Sequence, residues 1–344
     1  RLNPRQRRVD TDHMVRGRGR FLRVLVAGAA LLLVLAACTP PPPAAGSDDP
    51  PAAQPTTAPT TTAPPETTLD WTTVRSGPID GFDITLRFAA TLPADQVQPV
   101  IDSFNAAAAR WEQVITADLA PYSPSGFDGC DDAGPVGTID DVVIDVSVGP
   151  GDGPGEVLGS AGFCLRTGTL ARAGIMHFDA ADVGTWLANG RFERVVLHEM
   201  GHVLGIGTMW PYAGLRDTTE PTDPRFTGPD AVAEWNALSA STDTGVPIEA
   251  GGGPGTALAH WRESTFRSEL MTGLISPGPS PLSLLSIASL ADLGYTVDVD
   301  GADPYTLGSV MTDALFPGTE AHGASAGLGS GFVLLTPDGP LGSD

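Results

Sequence analysis

The chain has 344 residues, which is enough for one large domain or two small ones. Its formal net charge at pH 7 is −22, and from Cys38 onward only 11 arginines stand against 39 acidic residues. A surface this acidic repels phosphate backbones, so nucleic acid is not an expected partner.

The N-terminal residues resemble a bacterial export signal. Met14 precedes a basic stretch at residues 16–23, and a run of apolar residues follows at 24–37. That run is too short to span a bilayer but suits a signal-peptide core. It ends in Leu-Ala-Ala-Cys, which resembles a lipobox with cleavage before Cys38 and lipid on its thiol. The alternative is an ordinary signal peptide with an incidental cysteine.

We therefore predict that residues 1–37 comprise an untranslated leader, with the true start at Met14, and a lipoprotein signal peptide. The protein is expected to be exported and held on the outer side of the cell membrane through Cys38, or else to be secreted. Residues 38–69 are rich in Pro, Thr and Ala and have almost no large apolar side chain. Such a segment cannot bury enough surface to fold, so a disordered linker is predicted there.

The three cysteines fit this compartment. If Cys38 carries lipid, Cys130 and Cys164 remain to form a disulfide in an oxidising environment. Two buried free thiols are the less natural alternative.

Folded sequence is predicted from residue 70 to residue 306, and a glycine-rich tail from 307 to 344. Apolar residues that alternate with polar ones indicate strands, and apolar residues at helical spacing indicate helices. A helix is predicted to begin at Pro93, or only at Pro99, because proline interrupts its early pattern. The other predicted elements are strands at 82–88, 140–148 and 174–183, and helices at 192–204, 230–238 and 281–295.

The stretch HEMGH within the helix at 192–204 carries the main chemical signal. Residues four apart lie on the same face of a helix, so His198 and His202 can bind one metal ion. Glu199 projects beside them, where a general base of a zinc peptidase belongs. The helix is expected to end at Gly205. Solvated or core histidines on a helix are the structural alternative.

A catalytic zinc requires a third protein ligand, which this stretch does not supply. In metzincins, zinc peptidases with the motif HExxHxxGxxH, the third ligand is a histidine at the position that Thr208 occupies here. Threonine is a poor zinc ligand, so the ligand must lie elsewhere. Glu234 would give a His-His-Glu set like that of thermolysin-type peptidases. The remaining candidates are His13, His177, His260 and His322.

The segment around His260 resembles the leishmanolysin family of metzincins. In that family an insertion separates the glycine turn from the third histidine, which tryptophan follows. A Glu-Leu-Met segment comes next, and its methionine underlies the zinc. Here Trp261 follows His260, and Glu-Leu-Met stands at residues 269–271. The resemblance implies that His198, His202 and His260 bind zinc, Glu199 is the general base and Met271 is the Met-turn residue.

The resemblance also implies an α+β fold, a metzincin-type zinc peptidase domain with a twisted mixed sheet, an active-site helix and a C-terminal helix. The implied function is a zinc-dependent endopeptidase with one catalytic Zn²⁺ and with proteins or peptides as substrates. A catalytically inactive binding or adhesion module on a protease scaffold is the alternative from another class. The acidic stretches at 128–134 and 298–303 could offer oxygen ligands to Ca²⁺, but neither matches the full EF-hand pattern, so no calcium site is predicted there.

Overall fold

The computed structural model describes residues 65–75, 81–155, 157–275 and 278–308, together with the backbone of two short strands, β9 (Leu335–Thr336) and β10 (Gly339–Pro340). The predicted signal peptide, Cys38, most of the predicted linker and most of the predicted tail lie outside the described residues. Within the described part, no helix combines the length and the apolar character needed to cross a bilayer.

The described residues contain a mixed sheet of five strands in the order β1-β2-β3-β5-β4. β2 runs parallel to β3, and β3 runs parallel to β5, whereas β1 and β4 are antiparallel to their neighbours at the two edges. The strands are β1 (Glu66–Arg75), β2 (Ile84–Pro93), β3 (Val142–Gly149), β4 (Gly159–Thr167) and β5 (Leu170–Asp179).

Helices and shorter strands complete the architecture. The helices are α1 (Ala94–Val114), α2 (Ala180–Ala188), α3 (Phe192–Leu204), α4 (Pro229–Ser239), α5 (Glu263–Phe266) and α6 (Leu284–Leu293), with 3₁₀ turns at Cys130–Asp132 and Val299–Gly301. A small antiparallel sheet in the order β6-β7-β8 consists of β6 (Arg216–Asp217), β7 (Arg225–Phe226) and β8 (Val246–Pro247). The mixed sheet and its helices confirm the predicted α+β class.

The main core lies between one face of the sheet and the helices α1 and α3. Alternate residues of β2 point into it, because successive side chains of a strand face opposite sides. Phe104 of α1 lies at its centre and makes edge-to-face ring contacts with Phe88 of β2, Phe178 of β5 and Phe192 of α3. These contacts fix α3 against the sheet, and α3 carries the HEMGH stretch.

The opposite face of the sheet carries a smaller cluster that includes Cys130, whose disulfide with Cys164 joins the 3₁₀ turn to β4. Next to it, Arg87 of β2 forms a buried two-pronged ion pair with Asp145 of β3, at 2.6 Å and 2.7 Å. The backbone N–H of Cys130 donates to the same carboxylate at 2.7 Å. The disulfide and the ion pair together tie the loop before β3 to the sheet.

Several predicted boundaries are wrong. β1 begins at Glu66, inside the range 38–69 that was predicted as linker. The strand predicted at 174–183 ends at Asp179, because that side chain accepts from the N–H of Ala181 and starts α2. Helix α1 begins at Ala94, directly after Pro93, as the first of the two predicted starts requires, and Pro99 lies inside the helix. The edge strand β4 was not predicted.

The other predictions agree more closely. The strands expected at 82–88 and 140–148 are found as β2 and β3, and the helix at 192–204 has the expected bounds. The helices expected at 230–238 and 281–295 are found as α4 and as the shorter α6. The amphipathic patterns therefore located these strands and helices, although they did not reveal β4, which also packs on the core.

Candidate metal centre

Helix α3 presents both histidines of the HEMGH stretch and the glutamate between them. His198, Glu199 and His202 are at most 1% exposed. Because α3 packs against β4, β5 and α1, one side of the helix is fixed by the core while the two histidines point together on another. The helix thus sets the positions of two candidate ligands and one candidate base.

The end of α3 also orients His202. Gly205 has a left-handed backbone, with φ of 116°, and ends the helix as expected from its position. The N–H of Ile206 then donates back to the Gly201 carbonyl at 2.9 Å, a pattern typical of a Schellman motif. The Ile206 carbonyl lies 2.9 Å from Nδ1 of His202. Thr208 donates its hydroxyl to the His202 carbonyl at 2.7 Å and is not among the grouped side chains.

His260 returns to α3 through a close approach of two backbones. Gly207 has φ of +78°, and a Cβ atom there would lie 2.0 Å from the Ala259 carbonyl oxygen. Only glycine permits this contact, which brings the residue before His260 against the turn that ends α3. The next residue, Trp261, is fully buried and packs on Trp210, with ring centroids 4.8 Å apart. The glycine and the tryptophan pair therefore place His260.

The three histidines meet at their Nε2 atoms. The Nε2 of His198 lies 3.0 Å from that of His202 and 3.2 Å from that of His260, and the last pair is 3.0 Å apart. Each Nδ1 instead faces a backbone carbonyl: Leu270 for His198 at 2.7 Å, and Thr256 for His260 at 3.0 Å. A carbonyl only accepts, so each Nδ1 carries the proton and each Nε2 keeps a lone pair.

This arrangement fits a zinc ion. Tetrahedral bonds of about 2.0–2.1 Å place their nitrogen atoms about 3.3 Å apart, close to the separations seen. Among the described residues, these histidines form the one group of three or more His, Cys, Asp or Glu side chains close enough to share an ion. Three histidines with an open fourth position are the donor set of a catalytic zinc.

Burial keeps the histidines neutral, as metal binding requires. Loss of solvation lowers the pKa of His198 to about 3, with a further contribution from the nearby His260 ring. The same loss of solvation lowers the pKa of His260 to about 4 and holds that of His202 well below its usual range. The site is therefore ready to bind a cation throughout the neutral pH range.

Glu199 lies beside the histidines with an oxygen atom free to act. It is 1% exposed, and its Oε1 has no hydrogen-bond partner in the part of the chain that the structure describes. Burial raises its pKa to about 8 in the metal-free protein, and a cation held by the histidines would favour the charged form that a base requires. A buried acceptor without a partner is costly in a structural role, whereas a general base needs a free acceptor for a proton.

Met271 packs against α3 at Gly201, which lies between His198 and His202 in the sequence. It is fully buried, and a Cβ atom at Gly201 would lie 2.7 Å from its sulfur atom. The N–H of Trp261 donates to the Met271 carbonyl at 3.0 Å, which joins the methionine segment to the residue after His260. The structure therefore brings the three predicted histidine ligands together, and it places Glu199 and the Met271 contact on the helix that carries two of them.

The other candidate ligands lie elsewhere. His177 of β5 contacts the Ser147 hydroxyl through Nδ1, as a hydrogen-bonded strand histidine does, and is not part of the histidine group. Glu234 of α4 is also outside that group, so the structure does not favour a thermolysin-like ligand set. The acidic stretches at 128–134 and 298–303 contribute no metal-ligating group within the described residues. His13 and His322 lie outside the described residues.

Sequence reasoning missed the residues that orient the ligands. The carbonyls of Ile206, Thr256 and Leu270 leave no signal in side-chain identity. Gly201 and Gly207 do leave one, because a glycine inside a helix or just after its end often marks a close approach. Their identity was therefore the available clue to where Met271 and the His260 segment pack.

Comparison with known proteins agrees with this geometry. The family model for leishmanolysin, peptidase family M8, matches residues 134–314, which is more than half of the chain. The match includes α3, His260 and the Met271 segment. No curated protein matches the chain.

Proposed function

Because the chain belongs to the leishmanolysin family of zinc metallopeptidases, we propose that it is an endopeptidase that hydrolyses peptide bonds in proteins or peptides. His198, His202 and His260 hold the zinc ion, and Glu199 is the general base. The convergence of three Nε2 atoms, two of them on the helix that also carries the buried Glu199, carries this proposal. The function of the family and the chemistry of the site point to the same reaction.

Different residues of the chain transfer the proton and orient the zinc ligands during hydrolysis. When bound, zinc supplies Lewis-acid activation of a water molecule and of the scissile carbonyl. Glu199 accepts the proton of the attacking water at its unpartnered Oε1 and delivers it to the leaving amine. The three backbone carbonyls hold the imidazole rings with their Nε2 lone pairs directed at one point.

Removal of the base tests this proposal most directly. We expect Glu199→Gln to lower kcat for casein or gelatin hydrolysis by about 10²–10⁴-fold, because the amide cannot accept the proton. One equivalent of zinc should remain, measured by atomic emission. Unchanged turnover would remove Glu199 from the mechanism.

Metal removal separates an enzyme from a binding module on a protease scaffold. A chelator should abolish hydrolysis by the wild-type protein, and added Zn²⁺ should restore it. Bound zinc without hydrolysis of any protein substrate would support the binding module instead.

We also propose that the domain lies outside the cell membrane, anchored by lipid on Cys38 through a spacer. The support is the basic and apolar pattern before Cys38 and the Pro/Thr/Ala-rich stretch after it. The Cys38→Ala variant should lose incorporation of labelled palmitate and leave the membrane fraction. Equal incorporation in this variant and the wild-type protein would contradict the anchor.

A further inference from the structure

Glu269 is a fully buried carboxylate that the mechanism does not use. It is 1% exposed and lies between the Met271 segment and the start of α6. Its Oε1 accepts from the Ser283 N–H at 3.3 Å, the Ser283 hydroxyl at 2.7 Å and the Ser286 hydroxyl at 2.6 Å. Its Oε2 accepts from the Met271 N–H at 2.5 Å. Four donors therefore converge on one side chain.

The surroundings of Glu269 suit an ionised carboxylate, which accepts hydrogen bonds but cannot donate them. Ser283 is the N-cap of α6, so the carboxylate lies at a helix N-terminus, where negative charge is stabilised. The indole N–H of Trp261 donates to the Ser286 hydroxyl at 2.8 Å, and the hydroxyl proton of Ser286 then points to Glu269. Burial raises the pKa of Glu269, and the hydrogen bonds from Ser286, Ser283 and Met271 oppose that shift.

The residues that follow Glu269 contact the metal centre. The carbonyl of Leu270 faces Nδ1 of His198, and Met271 packs against Gly201 on α3. Trp261, which follows His260, donates its backbone N–H to the Met271 carbonyl and its indole N–H to Ser286. Hydrogen bonds thus form a closed circuit through Trp261, Ser286, Glu269 and Met271.

We propose that Glu269 is a positioning residue, whose carboxylate holds the Leu270 carbonyl and Met271 in place for the zinc ligands by anchoring them to the N-terminus of α6. The inference rests on the proposed function, because it assigns Glu269 a role in preparing the zinc site. It links α6, which contributes no ligand, to the geometry of His198 and His260.

Glutamine is the informative replacement because it keeps the shape of glutamate but has one donor group. If its NH₂ replaces Oε2, that group faces the Met271 N–H, and two donors oppose each other. If its NH₂ replaces Oε1, it faces the Ser283 N–H and leaves the Ser286 proton without its acceptor. Either orientation leaves a buried donor unsatisfied and disturbs the circuit.

The experiment compares the wild-type protein with Glu269→Gln, Ser286→Ala and the control Ser289→Ala. Ser289 is also a buried serine of α6, but its hydroxyl bonds to the Ser286 carbonyl and not to Glu269. Zinc affinity is measured by chelator competition, and the visible spectrum of the Co²⁺-substituted protein reports ligand geometry. In the metal-free protein, the ¹⁵N shift of His198 Nδ1 reports its bond to Leu270.

We expect Glu269→Gln to weaken zinc binding by about 10-fold to 100-fold, as for other groups that support metal ligands. The Co²⁺ spectrum and the His198 shift should change with it. Ser286→Ala should change the same readouts in the same direction by a smaller factor, and Ser289→Ala should match the wild-type protein.

The outcomes keep the two proposals separate. Failure of the wild-type protein to bind zinc or Co²⁺ would overturn the proposed function. Wild-type binding with unchanged affinity and spectra in Glu269→Gln would overturn the positioning role alone. If Glu269→Gln does not fold, the Ser286→Ala variant tests the positioning role instead. A zinc affinity and a Co²⁺ spectrum equal to those of Ser289→Ala would then overturn that role.

Discussion

Two regions of the molecule build the metal centre in different ways. The sheet half, residues 65–75 and 81–204, supplies His198, Glu199 and His202 from one regular helix that packs on a five-stranded sheet. The lower half, residues 205–308, supplies His260 and Met271 from irregular segments between short elements. The first region holds its residues by helix geometry and core packing. The second holds them by individual backbone contacts, indole packing and a buried carboxylate.

The largest expected effect tests whether both halves are required for zinc binding. His260→Ala should weaken zinc binding by more than about 100-fold, beyond the range for supporting groups, because it removes a direct ligand. Glu234→Ala is the matched control in the same half and should leave the affinity unchanged. Zinc content after dialysis against a weak chelator measures both. Loss of zinc in the Glu234 variant alone would restore the thermolysin-like ligand set.

Removal of the disulfide should affect the stability of the sheet half without affecting the metal centre. In the chain-entropy model, the Cys130–Cys164 bond closes a loop with a sequence separation of 34. The double variant Cys130→Ser/Cys164→Ser should therefore lose about 3–4 kcal/mol of unfolding free energy in urea. Its zinc affinity at a temperature where it remains folded should equal that of the wild-type protein. A loss of zinc affinity there would show that the two regions are less independent than described.

Alteration of the backbone approach at Gly207 should affect the lower half selectively. Alanine there would place its Cβ against the Ala259 carbonyl, so we expect a loss of about 1–3 kcal/mol together with weaker zinc binding. Gly214 also has positive φ but no atom within 4 Å of an added Cβ. Gly214→Ala should therefore cost less and leave zinc affinity unchanged. Similar zinc affinities in both variants would argue against the role of the close approach.

The smallest expected effect concerns the acid stability of the lower half. Hydrogen bonds from Arg225 and Arg262 hold the pKa of Asp223 below its usual range. A depressed pKa contributes stability above the pKa of the unfolded chain, and that contribution disappears as pH falls below about 4. Asp223→Asn should cost no more than about 1 kcal/mol at pH 7 in the metal-free protein. Urea unfolding of both proteins at several pH values checks this prediction, and a difference in unfolding free energy that does not shrink as the pH falls would contradict it.

The difference between the two regions explains which parts of the metal centre could be predicted from the sequence. The bounds of α3 and the convergence of His198 and His202 follow from helical periodicity and from Gly205, which are local signals. His260 lies 58 residues after His202, across turns with no strong pattern, so residue chemistry alone left Glu234 and other histidines open. Only the resemblance to the leishmanolysin family selected His260 as the third ligand. The carbonyl partners of the imidazoles and the role of Glu269 depend on three-dimensional contacts that composition does not encode.

The contact between Gly207 and Ala259 has a consequence for chain length. The segment between them, residues 208–258, begins and ends at this contact. It therefore forms a closed loop between the end of α3 and His260. The entropy of closing a flexible loop grows only logarithmically, by about 0.6 kcal/mol for each doubling of its length. The entropic cost of bringing His260 back to α3 therefore depends only weakly on how many residues intervene. A compact motif and an interrupted one can present the same three imidazoles.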